Sequence, residues 1–393
     1  ISFDESLNKA TQKNQMDLHV RYCDPVKDMV ITRYLNSQFL GHSKASDLVS
    51  SFTAGLSGVS LSKVHQISMD GPAVNWRFYG NIQKHIGYGD SVSCLLETGS
   101  CGLHIVHNVY KKGILSVEWG VEEFMRSAYR LFKDAPAKRD DYVTITGSHV
   151  FPLKHCGHRW LENEGVLERL VVILPELKTF LTTVASTKTL MTNYKSNKSF
   201  DILQSTLNNP KTLPRLQFLI SISHGFTAFL TKFQTEQPVL PFLCEEMTIL
   251  IKGILKRYVP SEQIDHLTPS EIIKFSLDDQ SKLLPTQQID VGIAATSSLL
   301  KLDSPISPRQ RQEFRIDCRT ICQTLFKKIA LKNPLHYNIV NHSQCLDPKF
   351  ILSQPQEAEH KFQRLVTLLY DKKRLSCGEA EIAKEQFHYL VTI

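Results

Sequence analysis

From Met16 to Tyr22, the apolar side chains Met16, Leu18, Val20 and Tyr22 alternate with Asp17, His19 and Arg21. A period of two predicts a half-buried strand in an antiparallel pair. Met29 to Leu35 is a second short run of β-formers, and Asp24-Pro25 between the runs supplies turn chemistry. Together with Ile1-Ser2-Phe3-Asp4 these runs predict a three-strand meander. Ser43–Leu56 then predicts a helix, Lys63–Met69 a strand ending at Asp70-Gly71-Pro72, Asn75–Ile86 a helix and Ser91–Leu96 a further strand. The expected order is β-β-β-α-β-α-β.

After about Gly113 the period changes from two to that of a helix. Val121, Phe124, Met125, Ala128, Leu131 and Phe132 share one helical face, and so do Leu219, Ile222, Phe226, Phe229, Leu230 and Phe233. Leu243, Met247, Leu250, Ile251, Ile254, Leu255 and Tyr258 repeat the pattern. Helices also fit Leu161–Leu174, Phe314–Leu331 and Glu357–Tyr370. The polar stretches Ser196–Pro214 and Pro260–Pro308 read as loops. The expectation is an α/β unit over residues 1–112 and an all-α unit over 113–393.

Composition narrows the class. The chain has 393 residues with 42% hydrophobic and 22% charged side chains, and its 18 Gly and 17 Pro form no low-complexity tract, so collagenous and largely disordered chains are excluded. Leu216 to Phe233 is the most apolar stretch, yet Ser221, Ser223, His224, Thr227 and Lys232 interrupt it before the roughly 18 residues of a membrane span. Nine irregularly spaced Cys in a chain of this size point to a reducing compartment, cytosol or nucleus. Ile1 opens inside a strand-like run, so the sequence is expected to be a piece of a longer protein.

The net charge of +7 is unevenly placed. Residues 1–110 carry 9 Lys+Arg against 9 Asp+Glu, whereas residues 301–332 carry 8 against 3. Arg309, Arg311, Arg315 and Arg319 stand at helical spacing, a stripe able to neutralise phosphates; the competing reading is a solvated helix face.

Asp4 and Asp70 each end a predicted strand. If those strands are neighbours, their carboxylates converge as hard oxygen ligands for Mg²⁺, the ion that activates water and stabilises a leaving oxygen in phosphoryl transfer. By spacing alone, an Asp before Gly-Pro is more often a turn residue. The surrounding words say more. Phe3-Asp4-Glu5-Ser6-Leu7-Asn8, Gln15-Met16-Asp17-Leu18-His19-Val20-Arg21-Tyr22, Ser68-Met69-Asp70-Gly71-Pro72-Ala73-Val74-Asn75-Trp76, Gly99-Ser100-Cys101-Gly102-Leu103-His104 and His158-Arg159-Trp160-Leu161 follow one another in that order. Jointly they resemble the hAT (hobo/Activator) superfamily of cut-and-paste DNA transposases, in a lineage common in animal genomes.

That resemblance implies an RNase H-like mixed sheet followed by a large α-helical insertion domain, and DNA cleavage and strand transfer by a DDE acidic triad with Mg²⁺ or Mn²⁺. It makes Asp4 the first and Asp70 the second catalytic and metal-ligating acid. Cys101 and His104 match the family's Cys/Asp-x-x-His motif, and Arg159-Trp160 its Arg-Trp pair, whose indole stacks on DNA near a flipped base. With Arg311 and Arg315 from the basic stripe, these are the expected DNA contacts. The resemblance also implies DNA as partner, a homo-oligomer in the full-length form, a nuclear location and no membrane. Neither the family's third-acid motif nor its N-terminal zinc finger matches any residues. Glu379, Glu381 and Glu385 read as an ordinary amphipathic helix, so this chain is expected not to cut DNA by itself.

Zinc is disfavoured. Cys101-x2-His104-x2-His107 supplies half of a zinc-finger spacing and His149, His155, Cys156 and His158 follow, but no second Cys pair completes a pattern. Cys318 and Cys322 share a helix face and read as core. Trp160 has a rival reading as a core aromatic. Two other functions remain beside transposition: a transposase-derived, non-catalytic DNA-binding or oligomerising scaffold, and an RNase H-like nuclease needing two acids, which the large helical part disfavours.

Overall fold

Three strands, β1 (Ser2–Asn8), β2 (Lys13–Asp24) and β3 (Met29–Leu40), pair antiparallel in the order β1-β2-β3. The register sets Phe3 opposite Leu18 and Asp4 opposite Asp17, with a bulge between Leu18 and His19. This is a computed structural model, and it describes residues 1–56, 58–86, 95–301 and 305–392. The helices α1 (Ala45–Gly55) and α2 (Ala73–Ile86) cover one face of the sheet. Phe3, Phe52 and Phe78 meet there edge to face, with centroids 5.1 to 6.0 Å apart. Met16, Leu18, Leu48 and Ile82 close the same core with no exposed surface. Each such side chain contributes about 1.5–3 kcal/mol by leaving water.

The segment Lys63–Met69 is expected as a fourth strand. From Val64 it is extended but makes a single bridge, Ser2 to Ser68, parallel to β1. The Phe3 amide donates to the Ser68 carbonyl at 3.2 Å, and the Ser68 amide to the Ile1 carbonyl at 2.8 Å. The pairing stays short because a 3₁₀ turn at Leu61–Lys63 precedes it and Gly71-Pro72 turns the chain away. Outside it runs a second extended segment, in which the amides of Leu96 and Cys101 donate to the carbonyls of His65 and Met69 at 2.8 and 3.0 Å. Of the expected fifth strand, Ser91–Leu96, residues 91–94 lie outside the described residues.

The remainder is helical, as its period implied. In order come α3 (Gly102–Ile114), α4 (Val121–Phe132), α5 (Pro136–Thr146), α6 (Glu164–Val172), α7 (Leu174–Ser186), α8 (Lys188–Tyr194), α9 (Lys198–Leu207), α10 (Thr212–Phe233) and α11 (Leu240–Leu255). Then follow α12 (Pro269–Ile272), α13 (Ile293–Leu300), α14 (Pro308–Lys332), α15 (Asn338–Ser343), α16 (Pro348–Ser353), α17 (Pro355–Asp371) and α18 (Cys377–Thr392). None of these helices is long and apolar enough to cross a membrane.

Three details correct the sequence reading. The predicted loop Ser196–Pro214 holds α9, capped by Asn197, whose side chain accepts from the Phe200 amide at 3.1 Å, and anchored by buried Phe200 and Leu203. The predicted helix Leu161–Leu174 is divided: a 3₁₀ turn from Trp160 to Asn163 leads into α6, and Pro175 opens α7 as a separate helix. The apolar core also changes earlier than residue 113. Leu95 packs with the sheet, whereas Ile105, Val106, Val109 and Tyr110 of α3 already belong to the helical core.

The helix α14 runs through that second core. Ser307 and Gln310 form a reciprocal capping box before it, and Phe314, Cys318, Ile321, Cys322, Leu325, Phe326 and Ile329 are all buried along one face. Cys318 and Cys322 are therefore core, as expected; burial pushes Cys322 up to about 12. The helix crosses α3 so closely that a Cβ at Gly113 would lie 2.4 Å from a Leu325 methyl. Only glycine permits that approach.

Candidate active site

Gly71 and Gly99 bring the two chain segments after Ser68 and before α3 together. Gly99 has φ of +88°, a left-handed conformation open to glycine, and a Cβ there would also strike the Tyr337 ring at 2.7 Å. The Cys101 amide, held by the Met69 carbonyl, fixes the start of α3 beside Asp70. Cys101 is the N-cap of α3 and His104 sits one turn further on. The His104 Nδ1 lies 2.9 Å from the Asp70 Oδ1. The Cys101 thiol hydrogen-bonds the same imidazole.

Electrostatics follow from this contact. The hydrogen bond to Asp70, helped by Cys101, raises His104 to about 10, so the ring is an imidazolium at neutral pH. Burial alone would raise the Cys101 thiol, but the hydrogen bonds around His104 outweigh it and hold the thiol below its ordinary range. Among the described residues, Asp70, Cys101 and His104 are the one group of three metal-ligating side chains with donor atoms within 4.8 Å of one another.

Ser2 bridges Ser68 in parallel, and a ladder continued at that register would carry Asp4 toward Asp70; the described pairing ends at that single bridge. Phe3 and Met69 face the core, and the next residue in each strand, Asp4 and Asp70, projects to the other side. Asp4 is exposed and its Oδ1 accepts from the Glu5 amide at 2.9 Å. Carboxylates such as those of Asp4 and Asp70 are the hard oxygen donors that Mg²⁺ takes, but Asp4 does not join the one cluster of metal-ligating donor atoms found among the described residues. The oxygen, sulfur and nitrogen set at Asp70, Cys101 and His104 has instead the character of a zinc site.

The remaining zinc candidates do not join this set. The Nδ1 of His107 accepts from the Leu161 amide at 3.3 Å. His155 is buried against Trp160, with ring centroids 5.3 Å apart. His149 and His158 are exposed. The glutamates of α18 are engaged locally: Glu379 accepts from Ser376 at 2.7 Å, and Glu381 pairs with Lys384 at 3.5 Å.

The expected DNA contacts lie elsewhere. Trp160 is 1% exposed and packed into the helical core, so its indole offers no face to a base and takes its rival reading as a core aromatic. The physical reason is its 3₁₀ turn, which drives the ring inward beside Leu161 and His155. Arg159 is exposed and paired with Glu162 at 3.3 Å. Arg315 donates to the Ile289 carbonyl at 2.7 Å and Arg319 to the Leu284 carbonyl at 2.6 Å. Arg311 is half-buried. The inner part of the stripe thus clamps the irregular chain from Leu284 to Ile289 onto α14.

Beside Asp70 a cleft of about 610 Å³ opens, with Gly71, Ser100 and His104 on one wall and Lys328, Lys332 and Tyr337 on the other. Trp76 and Lys112 also line it. Sequence reasoning missed these residues as a group; their one signal was the paired Lys111-Lys112 and Lys327-Lys328, indistinguishable from solvated helix ends. A larger cleft, about 930 Å³, lies between α11, α15 and α17 and holds none of the predicted acids. No family model matches the chain. No curated protein matches it either.

Proposed function

We propose that this chain carries the acidic site of a DNA-processing protein of the hAT transposase type, built on an RNase H-like sheet. The observation carrying the reading is His104 bonded to Asp70, at the end of an extended segment that bridges β1 in parallel at Ser2 and Ser68. The order of segments, β3-β2-β1 and then the two extended pieces through Met69 and Cys101, supports an RNase H-like sheet with weakly paired last strands.

In this reading Asp4 and Asp70 hold Mg²⁺ or Mn²⁺, which when bound supplies activation of water and charge for a leaving oxygen. His104, a cation at neutral pH, places positive charge beside the acids where a phosphate oxygen would lie. Transposase chemistry in the resembling family uses three acids, and among the described residues Asp70 is the one carboxylate in the cluster with Cys101 and His104. That favours a second reading, a transposase-derived scaffold that binds DNA without cutting it.

Mn²⁺ binding followed by electron paramagnetic resonance tests the site, with nicking of supercoiled plasmid beside it. Asp4→Ala and Asp70→Ala should each weaken Mn²⁺ binding by at least about tenfold. Binding that ignores both substitutions defeats the metal-site reading. Nicking by the unaltered chain that disappears in Asp70→Ala defeats the scaffold reading.

A further inference from the structure

The cleft beside Asp70 has a composition that the acidic pair does not require. Lys112 comes from α3, and Lys328 and Lys332 from the last turns of α14. Among the described residues none of the three forms an ion pair. The one carboxylate lining the cleft, Asp70, is already engaged by His104. The walls therefore present three free ammonium groups, a place for a polyanion.

Aromatic surface accompanies that charge. Trp76, at the start of α2, is 37% exposed, while the other two tryptophans, Trp119 and Trp160, are 5% and 1% exposed. Tyr79 packs nearly perpendicular to the Trp76 ring, with centroids 6.1 Å apart, which steadies it. Leu331, between the two α14 lysines, is 71% exposed on the opposite wall. Lysines along a groove with an open indole are the elements that hold unpaired nucleic acid, the ammonium groups on phosphates and the ring on a base. A volume of about 610 Å³ is of small-ligand size, room for a nucleotide of a single strand.

We infer that this cleft seats a single DNA strand, with an unpaired base stacked on Trp76 and its phosphates held by Lys112, Lys328 and Lys332. The strand then leads its next phosphate to Asp70 and His104. These four are strand-positioning residues, not reacting groups. The cutting role of Asp70 rests on the function proposed above; the seat itself needs only the cleft.

The exposure pattern supplies the assay. Trp76 is the one tryptophan that a bound base can reach, so intrinsic fluorescence of the full chain, titrated with a short oligodeoxythymidylate in metal-free buffer, reads stacking directly. Quenching should saturate, should disappear in Trp76→Phe, and should be weaker with the matched duplex. In Lys328→Gln/Lys332→Gln the slope of log affinity against log salt should be shallower by about 1.4, at about 0.7 per lost single-strand contact. Both lysines are exposed, so the fold should survive, and circular dichroism melting checks this.

Quenching that persists in Trp76→Phe, an unchanged salt slope, or equal binding of polyglutamate would each overturn the seat. Asp70→Ala separates the two proposals. If the strand still binds this variant while the Mn²⁺ test fails, the seat stands and the catalytic reading falls. If nicking depends on Asp70 but its KM ignores the lysine pair, the seat falls and the catalytic reading stands.

Discussion

Arg159, Trp160, Arg311 and Arg315 have the same chemistry as Trp76, Lys112, Lys328 and Lys332, yet the fold uses the two sets differently. In the first, the indole fills the helical core, Arg315 is tied to a backbone carbonyl and Arg159 to a glutamate. In the second, the indole is open and the lysines are unpaired beside a carboxylate. α14 contains both behaviours: the arginine stripe of its first half holds chain, and the lysines of its last turns face a cavity. A basic helix in a sequence is thus two separate questions, since guanidinium groups capable of bidentate donation are drawn into structure more readily than ammonium groups.

The comparison is broken most severely at the tryptophans. Trp160→Ala should cost about 3–5 kcal/mol in equilibrium urea unfolding, as a core aromatic does. Trp76→Ala should cost no more than about 1 kcal/mol. Equal costs would erase the distinction. Next in size, Arg319→Ala should cost about 1.5–3 kcal/mol, because the Leu284 carbonyl loses a charged donor. Lys332→Ala should stay within about 0.5 kcal/mol.

A smaller effect sharpens the comparison in binding. The Arg311→Ala/Arg315→Ala double variant should leave the salt dependence of oligonucleotide binding unchanged, in contrast to the lysine pair. A shallower slope would return those arginines to the DNA contacts.

The smallest effect is on pH. His104 is raised in the folded state to about 10 by Asp70, so its stabilising share is full below about 6.5 and lost as pH rises through about 10. The pair is nearly half exposed, so solvent screens it and the change in stability is slight. Imidazole NMR shows it better: in Asp70→Asn the His104 titration should fall toward about 6.5. An unmoved midpoint would mean that the carboxylate is not its cause.

The sequence made some of this legible for definite reasons. Period-two alternation in Met16, Leu18 and Val20 located β2, since one face of that strand is buried and the other wet. Asp70 and His104 were readable because local motifs carried them. The burial of Trp160 was not, because it depends on a 3₁₀ turn that packs against residues distant in sequence. The engagement of Arg315 and Arg319 was hidden for the same reason: their partners are backbone carbonyls, which carry no sequence signal. α9 escaped because its short apolar face is diluted by Ser205, Thr206 and the polar residues after it. The strand expected over Lys63–Met69 was over-read, because its apolar residues Val64, Ile67 and Met69 are buried in the sheet-side core without a ladder.

The crossing of α3 and α14 at Gly113 has a consequence in time. One wall of the cleft is encoded before residue 113 and the other after residue 327, so a growing polypeptide exposes Asp70, Cys101 and His104 long before Lys328 and Lys332 exist. At about 5–20 residues per second, the ribosome needs roughly 10–40 s to bridge that interval. During it the nascent chain holds Asp70, Cys101 and His104 without the α14 lysines that stand opposite them in the folded chain. The seat for a DNA strand is created late, when α14 docks its leucine against a glycine already waiting in α3.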